Sequence, residues 1–195
     1  MTEAMGVEPG PDGRARCWWS LGTEDYLDYH DREWGRPLHG DSELFERLTL
    51  EAFQSGLSWL TILRKRENFR AAFDGFDVER VAEYGDDDFA RLMQDAGIVR
   101  NRRKIAAAIT NAKATRALHG EGETLDELIW SFAPDPGSRP APRSGRDLDS
   151  ATAESTAMAK ELKRRGFVFV GPTTAYATMQ AAGLVNDHLE GCTFR

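Results

Sequence analysis

The chain has 195 residues, 41% hydrophobic and 29% charged, which suits one globular domain or two small lobes sharing a core. A net charge of −7 speaks against a nonspecific coat protein on nucleic acid, although the distribution of charge matters more than its sum. No apolar run approaches the ~18 residues of a membrane span, and the first residues lack the apolar core of a signal peptide. Two cysteines are too few for a disulfide framework, so a reducing cytoplasm is the expected compartment.

Residues 1–15 are polar with two prolines and read as a loose tail, with a helical domain over 16–195. Helical spacing dominates and β-type alternation is nearly absent, giving an all-α fold. Thr23 is placed to cap a short helix carrying Tyr26, Tyr29, His30 and Trp34. Asp41 or Ser42 caps a helix to about Ser55, with Leu44, Leu48, Glu51 and Ser55 along one stripe. Ser58 opens a helix through Phe73, and Asp77 a short one over 78–83. Helical segments over 86–95 and 100–118 flank the turn Ala96-Gly97-Ile98-Val99. A helix follows at 125–132, then a Pro- and Gly-rich loop over 133–150. Two last helices, 153–165 and 172–182, are separated by the apolar Val168-Phe169-Val170.

Four features on this scaffold carry chemistry. Cys17, His30, His188 and Cys192 offer two thiolates and two imidazoles, a full tetrahedral shell for Zn²⁺ with no open position. His188 and Cys192 have a compact spacing, but the gap from Cys17 to His30 is not diagnostic, and buried free cysteines with incidental histidines remain the alternative. Glu51 puts a carboxylate on an apolar stripe, where it must be paired, protonated or turned to a cavity, unless it points sideways to solvent. Tyrosines and tryptophans crowd the same third of the chain, as core or as flat walls for a stacked base. Finally, Gly97, Arg100, Arg102, Arg103 and Lys104 read as a helix-turn-helix whose N–H groups and cations meet phosphate, or as an ordinary solvated basic face.

The motifs YHDREWG (29–35), QSGLSWLTILRKRENFR (54–70), QDAGIVRNRRKI (94–105), IWSF (129–132), KRRGFVFVGPT (163–173) and LVNDHLEGC (184–192) resemble, in order, those of the 3-methyladenine DNA glycosylase I family. The resemblance runs from about Arg16 to Cys192 and implies a helix-hairpin-helix glycosylase fold of two lobes. It implies one structural zinc on Cys17, His30, His188 and Cys192, tying the chain ends together. Glu51 falls at the family's base-recognition glutamate, and Trp19, Tyr26, Tyr29, Trp34 and Trp59 fall at aromatic positions of the base pocket. The implied reaction is hydrolysis of the N-glycosidic bond of 3-methyladenine in double-stranded DNA, leaving an abasic site, with no lysine nucleophile and no strand cleavage. A monomer acting in the cytoplasm at the nucleoid is expected, without a membrane partner. Competing readings are a noncatalytic DNA-binding module, a same-fold glycosylase for another lesion, and a zinc-stapled scaffold. Asp187, beside His188, reads as local support, and no water-activating aspartate is evident.

Overall fold

Helix starts fall where a short polar side chain can satisfy the first free N–H groups. In the computed structural model, which describes residues 5–135 and 137–195, nine α-helices follow a two-stranded hairpin. They are α1 (Glu24–Arg32), α2 (Asp41–Gln54), α3 (Trp59–Ala72), α4 (Val78–Ala82), α5 (Asp86–Gln94), α6 (Arg102–Gly120), α7 (Leu125–Trp130), α8 (Ala153–Arg164) and α9 (Pro172–Ala181). Ser58 accepts from the Thr61 N–H at 3.3 Å and Asp77 from Arg80 at 3.0 Å, as their positions predict. Thr124 and Glu127 form a reciprocal capping box at 3.0 and 2.9 Å. Each such cap stabilises its helix by about 1 kcal/mol.

Three expectations need correction. Thr23 precedes α1, but its hydroxyl caps nothing and is buried without a partner among the described residues. Asp41 does not cap its own helix. Gly40 takes that place at φ 99°, a conformation that favours glycine. The Asp41 carboxylate instead accepts from the Leu125 and Asp126 N–H groups at 3.1 and 2.9 Å, capping α7 across the fold. The tail expected over 1–15 is a hairpin within its described part. Strand β1 (Val7–Pro9) pairs antiparallel with β2 (Ala15–Cys17), Val7 opposite Cys17. Three residues per strand are too few for alternation to register in sequence. The turn closes through Gly10 N–H to Arg14 C=O at 2.9 Å, and Arg16 clamps it by pairing with Asp12 at 2.6 Å and Asp31 at 2.7 Å. Residues 1–4 lie outside the described residues.

Among its described residues the loop over 133–150 contains one 3-10 turn, Gly145–Asp147, and it is tied to both terminal segments. Gly145 N–H donates to Met5 C=O, and Glu190 N–H to Pro142 C=O, both at 2.7 Å. Helix α2 runs through the core and buries Leu44, Phe45, Leu48, Leu50 and Phe53 among α3, α6 and α9. Each such side chain contributes roughly 1.5–3 kcal/mol of apolar burial. No helix among the described residues is long and apolar enough to cross a membrane. Residues 47–53 of α2 are all buried, so a polar residue there faces either protein or a cavity, which places Glu51.

Candidate base cavity and metal centre

Cys17 from β2, His30 from α1, and His188 and Cys192 from the C-terminal segment converge, with their ligand atoms all within 4.8 Å of one another. His188 Nδ1 lies 3.1 Å from His30 Nε2, 3.6 Å from Cys192 Sγ and 3.9 Å from Cys17 Sγ, and Cys192 Sγ lies 3.6 Å from His30 Nε2. A tetrahedral zinc shell of ordinary bond lengths has ligand–ligand edges of about 3.3–3.8 Å. The outer nitrogens settle the tautomers. His188 Nε2–H donates to Trp34 C=O at 2.9 Å, and His30 Nδ1–H to Asp31 at 2.8 Å. Two bare ring nitrogens are therefore left facing each other, an arrangement that repels unless a cation lies between them. Asp31 is held in turn by Arg16, so the outer shell is complete. The four residues could thus hold a metal ion, in an enclosed site that leaves no ligand position open to substrate.

Against this centre lies a cavity of about 220 Å³, lined by Trp19, Tyr26, Tyr29, Trp34, Glu51, Gln54, Trp59, Ala177 and Gln180. All six residues expected from the sequence reading, Glu51 and the five aromatics, are brought together here. Trp19 packs edge-on against both Tyr26 and Trp34, at 5.5 and 5.0 Å between ring centroids, and Tyr29 meets Trp59 at 5.3 Å. Trp19 and Trp34 also lean on the ligand histidines, at 5.2 Å from His30 and 4.8 Å from His188. The Cys/His cluster therefore buttresses the cavity wall.

Glu51 is 6% exposed and has no hydrogen-bond partner among the described residues. Burial pushes its pKa up to about 7, opposed by the charge of Arg47 one helical turn away. Arg47 is itself buried, with its guanidinium 5.7 Å above the Tyr29 ring. Its Nη2 reaches Glu33 at 3.4 Å, while Nε and Nη1 lack partners among the described residues. Glu33 is chiefly engaged by Arg66, at 2.5 and 2.8 Å. The Trp59 indole N–H is likewise buried and unpaired among the described residues. Sequence reasoning missed Arg47, Gln54, Ala177 and Gln180. Arg47 had a signal, since it stands one helical turn before Glu51 on the same helix. The turn joining α2 to α3, which runs between the cavity residues Gln54 and Trp59, exposes Leu57.

The basic turn between α5 and α6 is present, but its residues divide. Arg100, Arg102 and Arg103 are exposed, and the Ile98, Val99 and Arg100 N–H groups have no acceptor among the described residues. Asn101 caps α6, accepting from Arg103 and Lys104 N–H at 3.0 and 3.2 Å. Gly97 allows close approach to α3, since a Cβ there would lie 3.2 Å from that of Asn68. Lys104 departs from the expected phosphate-facing role. It is buried, and its ammonium donates to the Phe53 and Ser55 carbonyls at 2.8 and 2.6 Å, satisfying the last turn of α2.

The methyladenine glycosylase family model matches residues 18–195. The chain is 46% identical over 177 residues to DNA-3-methyladenine glycosylase 1 of Escherichia coli (strain K12), covering 91% of this chain and 95% of that protein. A crystal structure of 3-methyladenine DNA glycosylase I superposes with a TM-score of 0.88 at 46% identity, covering 91% of this chain and 98% of the other. A single-residue variant of a 3-methyladenine DNA glycosylase I, in complex with 3-methyladenine, superposes with a TM-score of 0.84 at 34% identity, covering 91% and 96%. Matched by the family model and by such relatives over nearly its whole length, this chain belongs to the methyladenine glycosylase family.

Proposed function

We propose that the chain hydrolyses the N-glycosidic bond of 3-methyladenine in alkylated double-stranded DNA and leaves an abasic site. The observation that carries this reading is a buried, unpartnered carboxylate, Glu51, among aromatic walls in a cavity of about 220 Å³. Methylation at N3 makes the nucleobase cationic, so its bond to C1′ is already weak and a neutral base departs. Recognition then matters more than acid catalysis. Extruding the nucleotide costs a few kcal/mol, and stacking on aromatic walls returns ~1–3 kcal/mol per base. A cationic base gains further from the ring faces and from Glu51, which a nearby positive charge draws toward its ionised form. Unmodified adenine gains neither charge term and remains a poor leaving group. The sugar acquires oxocarbenium character at C1′, as in other glycoside cleavage.

No lysine lines the cavity among the described residues, and Lys104 is engaged with carbonyls, which supports hydrolysis without a strand-cleaving step. Cys17, His30, His188 and Cys192 would hold one Zn²⁺, whose contribution is cross-linking the chain ends and not reaction chemistry. Duplex DNA meets the turn at Gly97 with Arg100, Arg102 and Arg103. Exposed Leu57 supplies an apolar contact beside the extruded nucleotide. The protein acts as a monomer in the cytoplasm, on the nucleoid.

Chromatography of bases released from methylated duplex DNA tests the reading. Release of 3-methyladenine in preference to 7-methylguanine is expected. Folded, metal-loaded protein that releases no 3-methyladenine would overturn it.

A further inference from the structure

Gln180 lines the cavity from α9, opposite the helix that carries Glu51. Its Nε2 donates to Asp187 Oδ2 at 2.9 Å. Asp187 is buried and also receives the Tyr176 hydroxyl and, at 3.2 Å, Arg139 Nη2. A carboxylate offers only acceptors, so it admits the amino end of the glutamine amide and excludes the oxygen. An isolated glutamine can present either end to a ligand. This one cannot, because rotating the amide would set oxygen against oxygen in a buried site. The hydrogen bond to Asp187 thus leaves Oε1 as a fixed acceptor on a residue that lines the cavity together with Glu51.

We propose that Gln180 is a specificity-determining residue, its Oε1 accepting from the exocyclic 6-amino group of an alkylated adenine and repelling the 6-oxo group of an alkylated guanine. Asp187 is the positioning residue that holds the amide in this sense. The inference rests on the glycosylase reading. It assigns to Asp187 a task other than activating water, since its oxygens are occupied and it does not line the cavity. Two lesions methylated at the same ring position, 3-methyladenine and 3-methylguanine, isolate the 6-substituent as the variable.

The test measures kcat/KM for release of both bases from methylated duplex by wild type, Gln180→Met, Asp187→Asn and the double variant. Metal content and Tm are recorded for each. Met keeps the length of the side chain and removes its polarity. Gln180→Met is expected to lose about 10–100-fold on 3-methyladenine, the scale of one buried hydrogen-bonding group left unpaired, with little change or a gain on 3-methylguanine. Asn at 187 can donate to Oε1 and so turn the amide, which should lower the same ratio. The double variant should then match Gln180→Met. A folded Gln180→Met protein with the wild-type ratio would overturn the inference, as would additive losses in the double variant. Wild type that releases no 3-methyladenine refutes the glycosylase reading separately.

Discussion

The Cys/His cluster and the aromatic cavity share a wall of Trp19 and Trp34, yet they are built in opposite ways. At the centre every outer group is satisfied. His30 is held by Asp31 and Arg16, His188 by the Trp34 carbonyl, and the Leu189 N–H points at Cys17 Sγ at 3.3 Å. In and under the cavity, groups are left wanting. Glu51, the Trp59 N–H and two nitrogens of Arg47 have no partners among the described residues. Buried polar groups are ordinarily paired, because desolvation without compensation costs roughly 1–3 kcal/mol each. A saturated cluster holds structure, and an unsaturated one awaits a ligand. Substitutions at the two places should therefore separate stability from activity.

The largest effect is expected at the centre. Cys192→Ser, or a strong chelator, should lower Tm sharply and abolish activity together, with a loss on the order of several kcal/mol as in other structural metal sites. Far-UV circular dichroism with metal analysis checks this, and a stable, active, metal-free protein would break the comparison. At the cavity the sign reverses. Glu51→Gln should cut kcat/KM for 3-methyladenine about 100-fold or more while raising stability. The folded pKa of Glu51, about 7, exceeds its unfolded value, so its contribution is most favourable at low pH and is lost as pH rises through 7. The variant should thus be more stable than wild type by about 1–3 kcal/mol at pH 8, with the gap closing near pH 4. Denaturant titrations at both pH values measure it.

The basic turn gives a smaller contrast of the same kind. Lys104→Met strands the Phe53 and Ser55 carbonyls and should cost about 1–3 kcal/mol of stability, leaving the salt dependence of DNA binding unchanged. Arg100→Ala or Arg103→Ala should leave Tm unchanged and reduce the salt slope by about 1. Titrations of duplex binding against salt distinguish them. The smallest effect belongs to the exposed staple of His119 with Asp41 at 2.5 Å and Glu79 at 3.4 Å. The Asp41 carboxylate raises the His119 pKa. Its stabilisation is full below about pH 6.5, and is lost as pH rises through the higher folded value. Solvent screening keeps it at or under about 1 kcal/mol, so the pH 6 to 8 change in Tm should shrink slightly in His119→Ala.

What was legible in the sequence was local or compositional. Ser58 and Asp77 announced their helices because a cap acts within three residues. Glu51 stood out because a carboxylate on an apolar stripe violates the pattern around it. The only two cysteines drew attention to the chain ends. The misses are tertiary. Lys104 sits in a run of bases that looks uniformly exposed, and only the docking of α6 under α2 turns one of them inward. Asp41 carries the signature of a cap, but the orphan N–H groups it serves lie over eighty residues away. Gln180 had no local signal, because its meaning comes from Asp187 and from a cavity assembled by distant helices.

Glu51 is the proposed group that recognises the base, and binding of free 3-methyladenine tests that role most directly. Trp19, Trp34 and Trp59 surround the cavity, so occupancy can be followed by tryptophan fluorescence. Wild type should show saturable quenching that Glu51→Gln loses or greatly weakens, at unchanged metal content and with a Tm no lower than wild type. A folded Glu51→Gln protein that binds the base as tightly as wild type would contradict the central claim.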